Sequence, residues 1–391
     1  MNAVKSPHNC PVCHSKDLKR FDAQLNLCPA GNFIIDAKDQ AVAIAKTAFE
    51  FAYCRSCAFV FNAAFDESAI DYAAPYNNMV ASKAFDDFLD RRAEFLQKFI
   101  SKKNAKILEA GCGDGRFLRR LKTHDNICVG IDPAVAKPES TSGFTLTKKF
   151  FESSDGAGFD MVVCRHTLEH IPEPLDFIQS LAQGKSDYIY IEIPRFEYLL
   201  ERQTYYALTY EHCSWYSRYS LAKAFAAHSY VPVFVENLFD EEYLGIVFAR
   251  PDVAGARDLS SSKEFERNDL ETSITDFCAA FQSYFDTLNS NIATWQKSGK
   301  VCALWGIAGK GVALLTGIEN PQNIAYVVDA NPAKHLKYVP ITGHQILHPD
   351  KFGDLSRPKA DVVLITNRIY QKEITTKAHE IFGHGCTIVP V

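Results

Sequence analysis

Hydrophobic and polar positions follow two different periods along this chain. Between residues 85 and 100, apolar side chains recur every three or four positions, which predicts a helix. Short apolar runs in KILEA, NICVGIDP, FDMVVCRH and SDYIYIEIP predict four strands, with helical patterns between them. Strands and helices that alternate in this way predict an α/β fold with a doubly wound, mostly parallel sheet.

The same alternation begins again near residue 300. Apolar positions from Ile274 to Trp295 predict one long helix after the polar segment 258–272. KVCALWGIAGKGVALL then predicts a strand, a glycine-rich turn and a helix, and IAYVVDANP and ADVVLITN predict further strands. We therefore expect a small N-terminal domain at 1–78, an α/β domain at 79–252, a helical linker at 253–299 and a second Rossmann-like domain at 300–391.

Two Cys-x-x-Cys pairs, Cys10 with Cys13 and Cys54 with Cys57, mark the N-terminal part, where GNFIID and FEFAY predict strands. A two-residue gap lets both thiolates of a pair face one tetrahedral ion, and four thiolates leave no open coordination position. We therefore predict a structural zinc ion. The alternatives are four unrelated core cysteines, or a redox dithiol, although neither pair opens a helix after a strand.

Composition limits the possible functions. The 391 residues are 47% hydrophobic and 23% charged, which is typical of a globular chain of two or three domains. A net charge of -5 argues against a dedicated nucleic-acid binder. The N-terminus lacks an apolar run of signal-peptide length, and no stretch approaches the ~18 apolar residues of a membrane span. We therefore expect a cytoplasmic protein whose 12 cysteines are ligands or core residues.

A glycine-rich turn, Glu109-Ala-Gly111-Cys-Gly113-Asp-Gly115, follows the first strand of the α/β domain. Glycines let a ligand approach the backbone closely. Asp132 closes the second strand, 23 residues after Glu109, where a carboxylate can accept hydrogen bonds from two ribose hydroxyls. The G-x-G-x-G spacing differs from the G-x-G-x-x-G of dinucleotide sites, and the alternative is a Rossmann turn without a cofactor.

This turn resembles the first motif of class I S-adenosylmethionine-dependent methyltransferases. The resemblance implies that the turn, Asp132 and the loop around Phe150 hold the methionine, ribose and adenine parts of the cofactor. It also implies that the segment 167–172 lies beside the sulfonium methyl. His166 and His170 would share one face of a helix there. A histidine suits a general base because its pKa lies near neutrality, and the alternative is a capping or core histidine.

From end to end, the chain resembles the three-domain C-methyltransferases that act on nucleotide-linked deoxysugars. The zinc domain of that family resembles CPVC, CPAGNF and CRSCAFVF, and its cofactor domain resembles EAGCGDG, GIDP and KKFF. Its Glu-His-x-x-Tyr motif resembles YEHCSWYS. Its last domain resembles GIAGKGVALL, VVDANPAKHLKYVP and CTIVPV. The resemblance implies that a base removes a proton beside a ketone and that the carbon then attacks the methyl group. By position, His170 matches the general base, and Tyr76, Glu211 and His212 match residues near the sugar.

The substrate side departs from the family pattern. Thr209 stands two residues before Glu211, where the family usually has Tyr, and His166 stands where the family often has Asn. The segment 365–368 lacks the Pro-Trp-Asn of the family. These differences leave open an O- or N-methyltransferase for another polar metabolite. A zinc-ribbon nucleic-acid-binding protein is a further alternative, disfavoured by the acidic composition.

The C-terminal turn contains Gly306, Lys310 and Gly311, a combination that suits a pyrophosphate at a helix N-terminus. Asp329, 23 residues after Gly306, occupies the position of a ribose-binding acid. The alternative is a dinucleotide fold retained only for structure. Taken together, the motifs predict a small-molecule substrate and no nucleic-acid or membrane partner.

Overall fold

The computed structural model describes residues 8–70, 79–100, 102–122, 126–253, 255–354, 358–366 and 368–391. The strands are β1 Leu18–Leu27, β2 Thr47–Cys54, β3 Val60–Asn62, β4 Lys106–Ala110, β5 Ile127–Ile131, β6 Glu139–Thr141, β7 Phe144–Thr147, β8 Met161–Arg165, β9 Tyr188–Pro194, β10 Ser214–Trp215, β11 Val231–Leu238, β12 Tyr243–Ala249, β13 Cys302–Trp305, β14 Ile324–Val328, β15 Ile346–Leu347, β16 Val362–Ile365 and β17 Thr387–Pro390. The helices are α1 Lys38–Ala43, α2 Lys83–Gln97, α3 Arg116–Leu121, α4 Pro174–Gln183, α5 Phe196–Glu201, α6 Arg218–Ala226, α7 Glu271–Lys297, α8 Gly309–Gly317 and α9 Gln371–Phe382. None of these described helices is long and apolar enough to cross a membrane.

The first sheet is antiparallel, with the strand order β1-β2-β3-β10. FEFAY lies in β2, as predicted, but GNFIID does not form a strand. Within it, Ile35 makes an isolated antiparallel bridge to Tyr338, about three hundred residues later in the chain. The prediction was wrong because the partner of this short apolar segment lies in the C-terminal part, and local sequence carries no information about such a partner.

The central sheet has the order β11-β12-β9-β8-β4-β5-β7-β6. Strands β9, β8, β4, β5 and β7 are parallel, and β12 runs antiparallel to both of its neighbours. The four strands predicted from apolar runs are β4, β5, β8 and β9, so the doubly wound arrangement is confirmed. The chain leaves β4 in one direction to β5 and returns on its other side as β8. A ligand crevice is expected at the carboxyl ends of strands at such a switch point.

The third sheet is parallel throughout, in the order β15-β14-β13-β16-β17. Its own switch point lies between β13 and β16. Helix α7 buries Ile274, Phe277 and Phe285 along one face. One apolar cluster joins Phe51 of β2, Phe277 of α7 and Leu304 of β13. The long helix therefore packs into a core shared by the first and third sheets.

Candidate active site

The glycine turn connects β4 to α3 at the switch point of the central sheet. Gly111, Gly113 and Gly115 have φ angles of 73°, 53° and 76°, in the left-handed region that favours glycine. A Cβ at Gly111 would lie 1.9 Å from Thr167 Oγ1, whereas a Cβ at Gly113 would meet no described atom within 4 Å. The turn is therefore packed against the loop after β8 at Gly111 and is open to a ligand at Gly113.

Asp132 follows β5 and holds the turn in place. Its Oδ2 accepts a hydrogen bond from the Gly113 N–H at 2.9 Å, and its Oδ1 accepts one from the Ala134 N–H at 2.6 Å. Burial raises the pKa of the Asp132 carboxyl, and the two N–H donors oppose that change. Each carboxylate oxygen has a second lone pair, so the group can still accept ribose hydroxyls.

Glu109 is buried on β4, and its Oε2 has no hydrogen-bond partner among the described residues. Burial raises the pKa of Glu109 to about 8, against the effect of nearby Arg165. A bound ligand can satisfy an unpartnered polar atom in the wall of a cavity by placing a hydrogen-bond donor beside it. This orphaned oxygen and the open side of Gly113 both fit S-adenosylmethionine.

We call the space above this turn the cofactor cavity. It encloses about 450 Å³ and is lined by the glycine turn, Asp132, Phe150 and the loop after β8, among others. This volume lies in the usual range for small-molecule sites. Phe150 is 63% exposed, so an apolar ring remains available at the wall of the cavity. Of the cofactor-binding residues predicted from sequence, all but Gly115 line this cavity.

A second space, the substrate cavity, lies where the three sheets meet and encloses about 690 Å³. Its walls include Asn32 of the N-terminal part, Arg195 and Tyr243 of the central part, and Lys310 of the C-terminal part. The residues that line both cavities are Met79, Val80, Phe85, His166 and His170. The two cavities are therefore neighbours, and a group could pass between them at the two histidines.

His166 follows β8 with a φ of 49°, and Leu168–His170 forms a 3-10 turn. The predicted helix face shared by His166 and His170 is therefore wrong, because the left-handed backbone at His166 precludes a continuous helix. The His166 Nε2 lies 3.1 Å from Glu192 Oε1, and the His166 Nδ1 lies 3.7 Å from Glu169 Oε1. Burial lowers the pKa of His166, but the two carboxylates outweigh burial and raise the pKa to about 9.

A buried polar network below His166 was not predicted from sequence. Glu192 on β9 pairs with Arg165 on β8 and accepts a hydrogen bond of 2.6 Å from Tyr190 Oη. Burial opposes the charge of Glu192, but Arg165 and His166 hold the pKa of its carboxyl well below its ordinary value. A signal existed in the sequence, because Arg165 and Glu192 are charged residues within or at the end of runs that otherwise predict buried strands.

His170 and His212 face each other, with ring centroids 4.9 Å apart and the rings nearly perpendicular. Both line the substrate cavity, and His170 lines the cofactor cavity as well. Burial lowers the pKa of His212 to about 3, and the proximity of His170 contributes to this decrease. His212 is therefore a neutral imidazole at neutral pH. The predicted base, His170, lies where the two cavities meet.

Glu211 lies in a different environment from His212. Its carboxylate is buried and accepts hydrogen bonds from the N–H of Asn32 at 3.1 Å and from its Nδ2 at 3.2 Å. The Asn32 Oδ1 in turn accepts the N–H of Gly309 at 3.1 Å. Among the described residues, Asn32 and His212 line the substrate cavity and Glu211 does not. The structure thus gives Glu211 a contact that joins three parts of the chain. The other residue predicted near the sugar, Tyr76, lies outside the described residues.

The four cysteines of the two knuckles converge. The Sγ atoms are 3.6 Å apart for Cys10 and Cys57 and 3.4 Å apart for Cys13 and Cys54, and all four lie within 4.8 Å of one another. Tetrahedral zinc with bonds of ~2.3 Å separates its sulfur ligands by about 3.8 Å. Both knuckles also close with the same backbone hydrogen bond, from His14 N–H to Cys10 O and from Ala58 N–H to Cys54 O. This donor set fits a structural zinc ion.

The C-terminal turn repeats the backbone of the cofactor turn. Asp329 Oδ2 accepts the N–H of Ile307 at 2.7 Å, just as Asp132 does for Gly113. However, the Gly309 N–H is bonded to Asn32, and Lys310 Nζ pairs with Glu242 Oε1 at 2.6 Å. The first backbone N–H of this helix and the predicted lysine therefore have protein partners, which favours the structural alternative.

Two family models match the chain. Residues 80–233 match the model described as a methyltransferase domain. Residues 257–391 match the model described as a C-methyltransferase C-terminal domain. The first match spans β4 to β9 of the central sheet, and the second spans the third sheet. The matches confirm the predicted class I methyltransferase fold.

Curated relatives match a shorter stretch. The ubiquinone biosynthesis O-methyltransferase of Saccharophagus degradans is 31% identical over 108 residues, which are 25% of this chain and 43% of that protein. The enzyme of the same name from Hydrogenovibrio crunogenus is 30% identical over 104 residues, which are 24% of this chain and 43% of that protein. The chain thus spans less than half the length of these relatives.

Among solved structures, magnesium protoporphyrin IX methyltransferase from Synechocystis PCC 6803 with bound S-adenosylhomocysteine has a TM-score of 0.36 and 13% identity, covering 45% of this chain and 91% of that chain. The 1,6-didemethyltoxoflavin-N1-methyltransferase of Burkholderia thailandensis has a TM-score of 0.35 and 15% identity. The match covers 46% of this chain and 95% of that chain. By the family-model matches, the chain contains a methyltransferase domain followed by a C-methyltransferase C-terminal domain.

Proposed function

We propose that this protein transfers a methyl group from S-adenosylmethionine to a carbon of a nucleotide-linked keto-deoxysugar. The observation that carries the proposal is the pair of cavities that meet at His166 and His170. The cofactor cavity has the turn and the acid expected for S-adenosylmethionine. The substrate cavity is larger, polar at several points and enclosed by all three sheets. The C-methyltransferase C-terminal domain supports carbon as the acceptor.

The roles of the binding residues follow from their positions. Bound S-adenosylmethionine supplies an electrophilic methyl group. Asp132 would accept hydrogen bonds from its ribose, the open backbone at Gly113 would let it approach the turn, and Glu109 would interact with a hydrogen-bond donor of its amino-acid part. The four knuckle cysteines hold a structural zinc ion that stabilises the first sheet. That sheet in turn places Asn32 in the wall of the substrate cavity.

The proton step is assigned to the wall shared by the two cavities. A C–H bond beside a ketone is acidic enough for a positioned base to break. His170 would take this proton and leave a nucleophilic carbon beside the cavity that would hold the methyl donor. The positive charge of His166 lies in the same wall and favours the negative charge that develops on the ketone oxygen. Two buried carboxylates bind the ring of His166, which makes it a fixed charge rather than a base.

O-methylation of another polar metabolite is the second candidate. It is favoured by the curated relatives, which are named as O-methyltransferases, and by the small side chain of Thr209 in the substrate cavity. A hydroxyl acceptor would need no proton removal from carbon. The two candidates therefore differ in whether a substrate C–H exchanges with solvent.

Hydrogen exchange at the substrate carbon tests the proposal. Wild-type protein with S-adenosylhomocysteine should exchange the C–H beside the ketone for deuterium in deuterated water. His170→Ala should abolish this exchange and lower turnover by ~10²–10⁴-fold, the usual contribution of a positioned base, with cofactor affinity near wild type. Loss of exchange in only the Glu211→Ala or His212→Ala variant would move the base to that residue. Methyl transfer without any exchange would favour the O-methyltransferase.

A further inference from the structure

Three potential ligands converge in the wall of the substrate cavity. Glu169, His170 and His212 each offer one ligand atom, and these atoms all lie within 4.8 Å of one another. Glu169 is 2% exposed, and its Oε2 has no hydrogen-bond partner among the described residues. A buried carboxylate oxygen without a partner is costly unless a cation or a donor satisfies it.

Two loops hold these ligands at a defined separation. Glu169 and His170 belong to the 3-10 turn after β8, and His212 precedes β10. The Cys213 N–H donates to Glu169 O at 2.9 Å, and Ser214 Oγ donates to Ile171 O at 3.0 Å. These cross-links fix one loop against the other. The convergence of the three side chains is therefore a property of the fold rather than of flexible surface groups.

The donor set points to a particular class of cation. Two imidazoles and one carboxylate suit Zn²⁺, Co²⁺ and other first-row divalent ions, whereas Mg²⁺ and Ca²⁺ prefer oxygen ligands alone. Bonds of about 2.0–2.2 Å place such ligand atoms roughly 3–4 Å apart, so a small inward movement of the side chains completes the site. All three residues line the substrate cavity, so the remaining coordination positions face it.

We propose that Glu169, His170 and His212 bind one divalent transition-metal cation, separately from the ion of the four cysteines. Its effect rests on the proposed function. An imidazole that binds a cation through its lone pair cannot accept a proton at that nitrogen. The cation is therefore a reversible inhibitor of the proton step that His170 performs. The two metal sites differ in chemistry, because the cysteine site is closed and this one is open to the substrate cavity.

Metal counting tests the site without any need for turnover. Full-length protein is dialysed against Co²⁺, and the total of bound zinc and cobalt per chain is measured together with the visible absorption spectrum. Wild type should hold two divalent ions, with weak bands of nitrogen and oxygen coordination in the spectrum. Glu169→Gln and His212→Gln should hold one, with Co²⁺ affinity reduced by about 100-fold or more. His384→Gln, which changes an exposed histidine of the C-terminal part, should hold two.

The outcomes separate this inference from the proposed function. Binding of S-adenosylhomocysteine shows that each variant is folded. One ion per chain in wild type, or equal Co²⁺ affinity in wild type and both ligand variants, would overturn the metal site. Deuterium exchange that continues unchanged with Co²⁺ bound would overturn its inhibitory role. If wild type that holds only the zinc ion of the four cysteines shows no exchange, the proposed function fails, while the Co²⁺ stoichiometry still decides the site.

Discussion

Two aspartates show how similar residues acquire different roles. Asp132 and Asp329 each follow the second strand of a Rossmann-like unit and accept a backbone N–H of its glycine-rich turn. Sequence spacing predicted both positions. The difference between them is tertiary, because the turn above Asp132 lines the cofactor cavity, whereas the turn above Asp329 lines the substrate cavity and is bonded to Asn32 and, through Lys310, to Glu242. Contacts between distant segments of this kind have no signature in local sequence.

The pair of aspartates provides a matched test of the cofactor site. Asp132→Ala should weaken S-adenosylmethionine binding by roughly 1–3 kcal/mol, because charged hydrogen bonds to the ribose are lost. Isothermal titration calorimetry measures this change. Asp329→Ala removes the same backbone contact from the other turn and should leave the affinity unchanged. Wild-type affinity in the Asp132 variant would exclude Asp132 from the site, and NAD binding in place of S-adenosylmethionine would overturn the enzyme class.

At the level of elements, the cysteine knuckles and the first sheet depend on each other. The four-cysteine cluster was predicted from spacing alone, because C-x-x-C fixes the local turn. The sheet was predicted only in part. Its last strand, β10, comes from residues 214–215 of the central part and pairs with β3. No local pattern indicates that such a short strand completes a sheet formed some 150 residues earlier.

Zinc loss should therefore unfold the first sheet. Cys10→Ser or Cys54→Ser is expected to remove the ion and the amide protection of β1 and β2, because metal binding contributes directly to the folding free energy of small sites. Metal analysis and hydrogen exchange measure the two effects. Cys28→Ala changes a buried cysteine of the same region that is outside the cluster and should keep the zinc. A protein purified without chelator that contains no zinc would contradict this account.

At the level of the whole molecule, Asn32 joins three parts of the chain through one side chain and its backbone N–H. It donates to Glu211 before β10 and accepts the N–H that begins α8. The bridge between Ile35 and Tyr338 and the core shared through α7 reinforce the same contact. The substrate cavity therefore exists only in the assembled chain. Sequence predicted its separate walls, but the way the parts meet follows from contacts hundreds of residues apart.

Removal of the Asn32 side chain should weaken the contact between these three parts of the chain. Asn32→Ala should lower the free energy of unfolding by about 1–3 kcal/mol, since hydrogen bonds to a charged, buried carboxylate are lost. It should also increase amide exchange at Gly309 without increasing exchange at the cofactor turn. Urea unfolding and hydrogen exchange measure these changes, with Asn320→Ala as an exposed control. Unchanged protection at Gly309 would show that this hydrogen bond does not hold the C-terminal part in place.

The position of the transferred methyl group distinguishes methylation at carbon from methylation at oxygen or nitrogen. The protein is incubated with S-adenosylmethionine that carries a ¹³C-labelled methyl group and with a panel of nucleotide-linked keto-deoxysugars, and the products are examined by mass spectrometry and NMR. We expect one added methyl group whose carbon is bonded to a ring carbon beside the ketone, with loss of the hydrogen from that position. A label bonded to oxygen or nitrogen, with the C–H retained, would contradict this expectation.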